Sequence, residues 1–295
     1  MIKEFGEMTG FPPEASDYLE ERLKEASVKS AAFENYLKAM DEMFCREDKK
    51  YLETLDIAAK ECGLDRRTSD MIFLIMSSIP LKYIYKSRNL PYELYVDTMT
   101  DLKYKLMECK KVYGVWGTFV TEWFQGFYSC SRYKLGRLQY EISEFPYENY
   151  KNILKKGDGV YFCHIPSCGP LNEKDVIDSL KSAYAFYSDR LSGGILPVVC
   201  SSWLLYPPHY EVFPEGSNLR KFYNLFDVID STEDPKNGDF WRIFDREYDG
   251  KTENMEEKTS LQRRFKRFFA AGNNMGAGYG VILFDGKNIV NIEKN

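Results

Sequence analysis

VYFCHIPSCGPLNEKDVIDSLKSAYAFYSDRLSGGILPVVCSSWLLYPPHYEVFPEGSNLRKFYNLF, residues 160–226, contains the strongest pattern in this chain. A short apolar strand ends near Ile165, and the turn 166–170 leads into a helix from about Asn172. A second apolar strand ends at residues 200–203, and another helix begins near Ser217. This alternation is typical of α/β segments that present backbone N–H groups to a phosphate at a helix N-terminus.

The bulk composition limits the classes of protein that need consideration. The chain has 295 residues, of which 44% are hydrophobic and 29% charged, and this predicts two folded domains. A net charge of −5 argues against a nucleic-acid binder, which would favour a basic surface. We expect no transmembrane helix and no signal peptide. Seven scattered cysteines and two histidines predict free thiols in a reducing cytoplasm and no metal site.

The pattern of apolar residues changes near residue 130. Before it, apolar residues recur at helical spacing; Thr68-Ser69-Asp70 is expected to cap a helix that ends near Pro80, and Pro91 to begin another. After it, strand-like runs alternate with amphipathic helices. The predicted class is α+β, with one domain at 1–130 and a second at 131–295.

Four segments resemble one family: LGRLQYE from Leu135, HIPSCGPL from His164, CSSWLLYPPHYEVFPEGSNLRKF from Cys200 and TSLQRRFKRFFAAG from Thr259. They look like bacterial acyltransferase domain-containing proteins, which join a helical N-acyltransferase N-terminal domain to a GNAT-like C-terminal domain. The resemblance covers roughly residues 113–284 well and the preceding part loosely. It implies a GNAT-like mixed β-sheet flanked by helices, with acyl-CoA as cosubstrate.

The resemblance also implies where coenzyme A would bind. In GNAT enzymes a glycine-containing loop holds the pyrophosphate, and the matching residues here are Ser167, Cys168, Gly169 and Leu171. The usual second glycine is missing and Pro170 has no N–H, so an ordinary strand-to-helix turn is the alternative. A thioester carbonyl would be polarised near Ile165. The strand end Cys200, Ser201 and Trp203 would line the cleft for the pantetheine arm, although simple packing also explains Trp203.

Three residues are candidates for catalysis by direct attack of an amine on the thioester. His164 has a suitable ordinary pKa for a general base, or it is a buried structural imidazole. Glu141 lies on the polar face of its strand and would act as a base through water, or form a surface salt bridge with Arg137. By likeness to the fourth helix of GNAT enzymes, Tyr223 would protonate the departing thiolate; otherwise it belongs to the core.

Two further functions remain open from the sequence. A catalytically silent GNAT-like protein that binds a ligand or partner fits the incomplete phosphate loop. A thiol hydrolase or transferase would use Cys200 as nucleophile with His164 or His209 as base. The acyl chain, the acceptor and the oligomeric state are not specified by the residues.

Overall fold

The computed structural model describes residues 1–45 and 50–291, with side chains described outside 42–52. Contacts divide the chain into two compact units, Met1–Tyr133 and Lys134–Asn295. No helix within the described ranges is long and apolar enough to cross a membrane. The α+β class is confirmed, because a helical region precedes a mixed sheet flanked by helices.

The first unit is built from helices. They are α1 Ile2–Thr9, α2 Pro13–Ser27, α3 Ser30–Cys45, α4 Lys50–Cys62, α5 Arg66–Ser87, α6 Tyr92–Met99, α7 Asp101–Tyr113 and the single turn α8 Gln125–Tyr128. A 3₁₀ turn over Thr121–Phe124 leads into α8. Pro91 precedes the first residue of α6, as expected from its fixed backbone angle.

The predicted limits of the central helix α5 are wrong at both ends. Its cap is Asp65, whose carboxylate accepts from the backbone N–H groups of Arg67 and Thr68. The helix also continues through Pro80 to Ser87. Pro80 lies on an exposed face, whereas Leu81 and Tyr85 beyond it are buried. Burial of those side chains offsets the proline's cost of about 3 kcal/mol in a helix interior.

The second unit is organised around a sheet. Its strands are β1 Arg132–Leu135, which begins in the first unit, then β2 Leu138–Glu144, β5 Gly159–His164, β6 Leu196–Ser202, β7 Asp227–Asp234 and β8 Met275–Phe284, in the order β1-β2-β5-β6-β8-β7. The strands β3 Asn149–Tyr150 and β4 Leu154–Lys155 form a separate small hairpin. β5 pairs antiparallel with β2 and parallel with β6, so the sheet is mixed.

Helices accompany the sheet: α9 Glu173–Phe186, α10 Pro207–Tyr210, α11 Asn218–Tyr223, α12 Trp241–Phe244 and α13 Ser260–Ala270. The buried hydroxyl of Ser179 in α9 accepts from the Leu138 N–H at 3.0 Å and donates to the Leu135 carbonyl. This side chain therefore ties α9 to the turn between β1 and β2. Such a fully satisfied buried hydroxyl fixes the position of the helix against the sheet.

Glycines on one face of β8 allow a loop to pack directly on the strand backbone. A Cβ atom at Gly278 would overlap the Leu205 carbonyl, and one at Gly276 would lie 2.6 Å from the Thr232 oxygen. A Cβ atom at Gly280 would lie 2.8 Å from the Phe226 Cβ. The alternation Gly-x-Gly-x-Gly places all three on the same side of the strand, which sequence analysis did not single out.

The opposite face of the sheet carries an apolar cluster around Val160, Val199 and Val281. Rings of Phe145 and Tyr150 cover it, and Phe162 and Tyr279 pack at its margin. The residues Phe162 and His164 are two apart on β5, so the side chain of His164 extends this same face beyond the apolar cluster. The core thus ends where the candidate site begins.

Candidate active site

His164 and Glu141 meet on adjacent strands. The register pairs His164 with Gln139 and Glu141 with Phe162, so His164 and Glu141 are diagonal neighbours on one face. The His164 Nε2 atom lies 3.2 Å from the Glu141 Oε2 atom. Their side chains are 12% and 25% exposed, so both remain accessible to a ligand. A carboxylate that orients an imidazole is the usual arrangement around a general base.

The strand of His164 separates from its parallel neighbour just before the histidine. The β5–β6 register pairs Tyr161 with Val198 and Phe162 with Val199. By contrast, β6 stays paired with β8 as far as Ser202. The gap between β5 and β6 therefore opens at His164, and Ile165 lies one residue beyond it. This agrees with the cleft expected between these two strand ends.

Arg137 holds the turn that follows β5. Its guanidinium donates to the carbonyl oxygens of Pro166, Gly169 and Pro170 at 2.9, 2.7 and 3.0 Å. Arg137 thus bonds the turn, and Glu141 faces His164. Sequence analysis did not assign Arg137 to the site, since its partners lie about thirty residues further along the chain.

The turn directs its carbonyl groups toward Arg137 and leaves backbone donors for a ligand. Among the described residues, the N–H groups of Cys168, Gly169 and Leu171 donate to no backbone carbonyl. Gly169 has φ +112° and an open position at its Cα, so only glycine adopts this turn without strain. Ser167 is exposed at the start of the turn, and α9 begins after Asn172 as predicted. Asn172 makes no side-chain cap bond to α9.

The starts of α9 and α11 come together beside this turn. The Asn218 amide donates to the Asn172 Oδ1 atom at 3.0 Å. Ser217 caps α11 by accepting from the Arg220 N–H, so this helix begins where the sequence predicts. Tyr223, at the end of α11, is half-buried and stacks near Tyr210 with ring centroids 4.9 Å apart. Burial and the neighbouring Tyr210 raise the pKa of Tyr223, so its phenol stays protonated at neutral pH.

The side chains at the end of β6 differ in exposure, from the buried Cys200 to the exposed Ser201. Cys200 is 1% exposed and lies in the core, so a Cys200 side chain lining an open cleft is not what the structure shows. Ser201 is exposed on the opposite face of β6. Trp203 packs edge-on against Phe213 and Phe265, which supports the packing alternative for this residue.

His209 is a structural residue. It is fully buried, its Nδ1 atom lies 2.8 Å from the Trp203 carbonyl oxygen, and aromatic rings surround it. Burial lowers the pKa of His209 to about 4. A base for Cys200 would need contact with that thiol, whereas the polar partner of His209 is the Trp203 carbonyl. The cysteine-nucleophile hypothesis therefore loses both its accessible thiol and its second base.

The mixed sheet, the split between β5 and β6 and the glycine-containing turn after β5 are typical of the GNAT-like class. Family comparison is specific on this point. Residues 2–130 match the N-acyltransferase N-terminal domain, and residues 132–282 match the GNAT-like C-terminal domain. The chain belongs to the family of proteins with these two domains, which confirms the resemblance seen in the sequence.

Solved acyltransferases share this fold over nearly the whole chain. One crystallised with decanoyl-CoA and teicoplanin is 19% identical, with a TM-score of 0.73 over 95% of this chain and 87% of that chain. A mutant acyltransferase with octanoyl-CoA is 18% identical, with a TM-score of 0.74 over 95% and 86%. A third, with CoA and 10C-teicoplanin, is 19% identical, with a TM-score of 0.63 over 95% and 98%. No curated protein matches significantly.

Proposed function

We propose that this protein is an acyl-CoA-dependent N-acyltransferase that uses direct attack. The His164–Glu141 pair at the opening between β5 and β6 is the observation that carries the proposal. Membership of a family with N-acyltransferase and GNAT-like domains supports it. So do the structural neighbours, which were crystallised with CoA or acyl-CoA. Two of those complexes also contain teicoplanin or 10C-teicoplanin.

Coenzyme A binds, in this proposal, across the turn and the strand gap. The N–H groups of Ser167, Cys168, Gly169 and Leu171, together with the start of α9, bind the pyrophosphate. Pro170 contributes no donor, and Arg137 compensates by holding the turn in one conformation. The pantetheine arm enters between β5 and β6, along the Ser201 side of β6. The N–H near Ile165 polarises the thioester carbonyl.

The chemical step requires one proton acceptor and one proton donor. With the Nε2–H group donated to Glu141, the Nδ1 atom of His164 takes a proton from the attacking amine, and Glu141 stabilises the imidazolium that forms. The amine nitrogen bonds to the carbonyl carbon, and the C–S bond breaks with its electron pair going to sulfur. Tyr223 then supplies a proton to the thiolate. In this proposal residues 1–130 recognise the acceptor, while residues 131–295 bind acyl-CoA.

Calorimetric titration with coenzyme A and decanoyl-CoA tests the binding half of the proposal. Arg137→Gln removes three bonds to the turn, so we expect coenzyme A affinity to fall about tenfold or more. Arg242→Gln is the matched control, because Arg242 bonds Asp239 and packs on Trp241 far along the chain. Equal affinities for the two variants would remove the turn from the binding site.

Turnover separates the enzyme from a silent binding protein. With decanoyl-CoA and a panel of amines, His164→Gln should lose about 100-fold or more in rate while keeping coenzyme A affinity. A wild-type protein that binds coenzyme A but acylates no amine in the panel would favour the ligand-binding alternative. That alternative is consistent with the absence of a second glycine and of a Pro170 N–H in the turn.

A further inference from the structure

The helical unit contains a cavity that is lined by its own residues alone. Its volume is ≈ 730 Å³, and every lining residue belongs to Met1–Tyr133. The walls come from the first turn of α5, the loop 118–123 and Arg132. Ligand sites of small molecules usually have volumes of about 300 to 1,000 Å³. None of the residues that line this cavity was given an individual role in acyl transfer.

Two arginines in the cavity wall lie flat on aromatic rings. The Arg67 guanidinium carbon is 3.9 Å from the centroid of Tyr113, and that of Arg132 is 4.1 Å from the ring of Trp123. Stacking restrains a guanidinium and leaves its edge donors available in a fixed plane. Arg132 is nearly buried and donates one bond to the Trp123 carbonyl at 2.7 Å.

Arg67 has donor capacity that the protein does not use. In residues 1–45 and 50–291 its buried Nε atom has no hydrogen-bond partner, and no carboxylate pairs with its guanidinium. A buried donor without a partner costs free energy unless a ligand or water supplies an acceptor. An anionic group in the cavity would meet that requirement with a bidentate bond.

Two acidic residues, Asp70 and Glu122, line the cavity together with Arg66, Arg67 and Arg132. Asp70 accepts from Arg66 Nε at 2.7 Å and from the Thr121 hydroxyl. The Asp70 carboxylate therefore bonds Arg66 and Thr121 in the cavity wall, and the Arg67 guanidinium can bind a ligand. Burial raises the pKa of Asp70 above its ordinary value.

The cavity is pre-formed by bonds between its two walls. The Thr118 N–H donates to the Arg67 carbonyl at 3.0 Å, and the Thr68 hydroxyl to the Trp116 carbonyl at 3.2 Å. A Cβ atom at Gly117 would overlap the Arg67 backbone, so glycine permits this close approach. Binding at a pre-formed site loses little free energy to ordering of the protein.

We propose that this cavity is a second binding site, for a small organic anion that joins a carboxylate or phosphate group to an apolar body. Arg67 binds the anionic group, with Arg132 as the second cation. Phe119, Val120 and Trp123 contact the apolar part.

Calorimetry on the full chain tests the site with benzoate and phenyl phosphate as separate probes. We expect at least one probe to bind with a Kd below about 1 mM, and the preferred probe distinguishes carboxylate from phosphate ligands. Arg67→Gln should weaken that binding about tenfold or more, whereas Arg242→Gln should leave it within about twofold. Arg242 is the matched control because it also stacks on an aromatic ring, 4.4 Å from Trp241.

Either of two results would overturn the proposal. One is that neither benzoate nor phenyl phosphate binds saturably; the other is that Arg67→Gln and Arg242→Gln have equal affinity. If circular dichroism shows that Arg67→Gln is unfolded, Arg67→Lys replaces it. Lysine keeps the charge but loses the planar fork, so wild-type affinity of Arg67→Lys would also contradict the proposed bidentate contact.

Discussion

The two histidines of this chain have the same ordinary pKa but opposite surroundings. His164 is partly exposed and faces the carboxylate of Glu141. His209 is enclosed by the rings of Tyr206, Phe265 and Phe268, and its polar contact is a backbone carbonyl. The second environment disfavours a protonated imidazole.

The stability of the protein should therefore depend on His209 in mildly acidic solution. The pKa of His209 is lowered to about 4 in the folded state, against about 6.5 when unfolded. The unfolded state thus binds the proton more strongly, and this contribution to stability is complete above pH 6.5 and lost as pH falls toward 4. Between pH 7 and pH 5 the free energy of unfolding should fall by about 2 kcal/mol from this group.

Urea unfolding of wild type and His209→Phe at both pH values measures this effect. Phenylalanine fits an aromatic environment and does not titrate, so the variant should lose about 2 kcal/mol less than wild type between pH 7 and pH 5. An identical pH dependence in the two proteins would mean that His209 has the same pKa in the folded and unfolded states.

Sequence reasoning at this scale identified His164 and Glu141 one at a time. It did not pair them, because the contact depends on the register of β2 against β5, which shifts every partner when it changes by one residue. For Arg137, which lies just before β2, it offered a salt bridge with Glu141 and missed the contacts with the turn after β5. Its three acceptors are carbonyl groups of a turn, and a backbone acceptor leaves no mark in the residue types.

Among the elements, β8 depends on the absence of side chains at its glycines, where other segments pack against the strand. Gly278→Ala would force a methyl group against the Leu205 carbonyl, a backbone atom that cannot rotate away. We expect the free energy of unfolding to fall by about 3 kcal/mol, as for severe overpacking. Gly159→Ala in β5 is the matched control, since no heavy atom lies within 4 Å of its added Cβ atom.

Thermal and chemical unfolding of the two glycine variants gives the comparison directly. Gly159→Ala should stay within about 0.5 kcal/mol of wild type. Equal stability of Gly278→Ala and Gly159→Ala would show that the loop at Leu205 does not rest on the backbone of β8.

The helix α5 shows why element boundaries were harder to predict than element types. The rule that proline ends a helix rests on local sterics and one missing hydrogen bond. Here the residues on both sides of Pro80 are anchored by burial, and the proline itself faces outward. Tertiary packing therefore overrides the local preference. The cap at Asp65 was likewise available in the sequence, but Thr68-Ser69-Asp70 offered an equally good pattern.

Across the whole molecule, the cysteines differ sharply in accessibility. Of the six whose side chains are described, five are buried and Cys168 is intermediate. Burial raises the pKa of Cys109 to about 12, and contact with Cys200 together with burial raises the pKa of Cys163 well above its ordinary value. Thiols of this kind stay protonated and react slowly.

Iodoacetamide labelling followed by peptide mass spectrometry should therefore modify Cys168 first among these six. We expect a rate at least about tenfold above that of Cys200, because only the thiolate of an accessible cysteine reacts readily. Coenzyme A should slow the labelling of Cys168, since the proposed binding site includes its N–H. Labelling of Cys200 as fast as Cys168 in the folded protein would instead restore the cysteine-nucleophile hypothesis.

Because β5 and β6 pair over a short stretch, the two halves of the sheet are joined by few hydrogen bonds. Two residue pairs join a half made of β1, β2 and β5 to a half made of β6, β8 and β7. Separating β5 from β6 breaks fewer interstrand hydrogen bonds than separating β6 from β8. The pantetheine arm carries two amide groups of its own, so a cosubstrate lying in the gap would continue the interrupted ladder. In that case the ligand would act as a temporary strand that joins the two halves of the sheet.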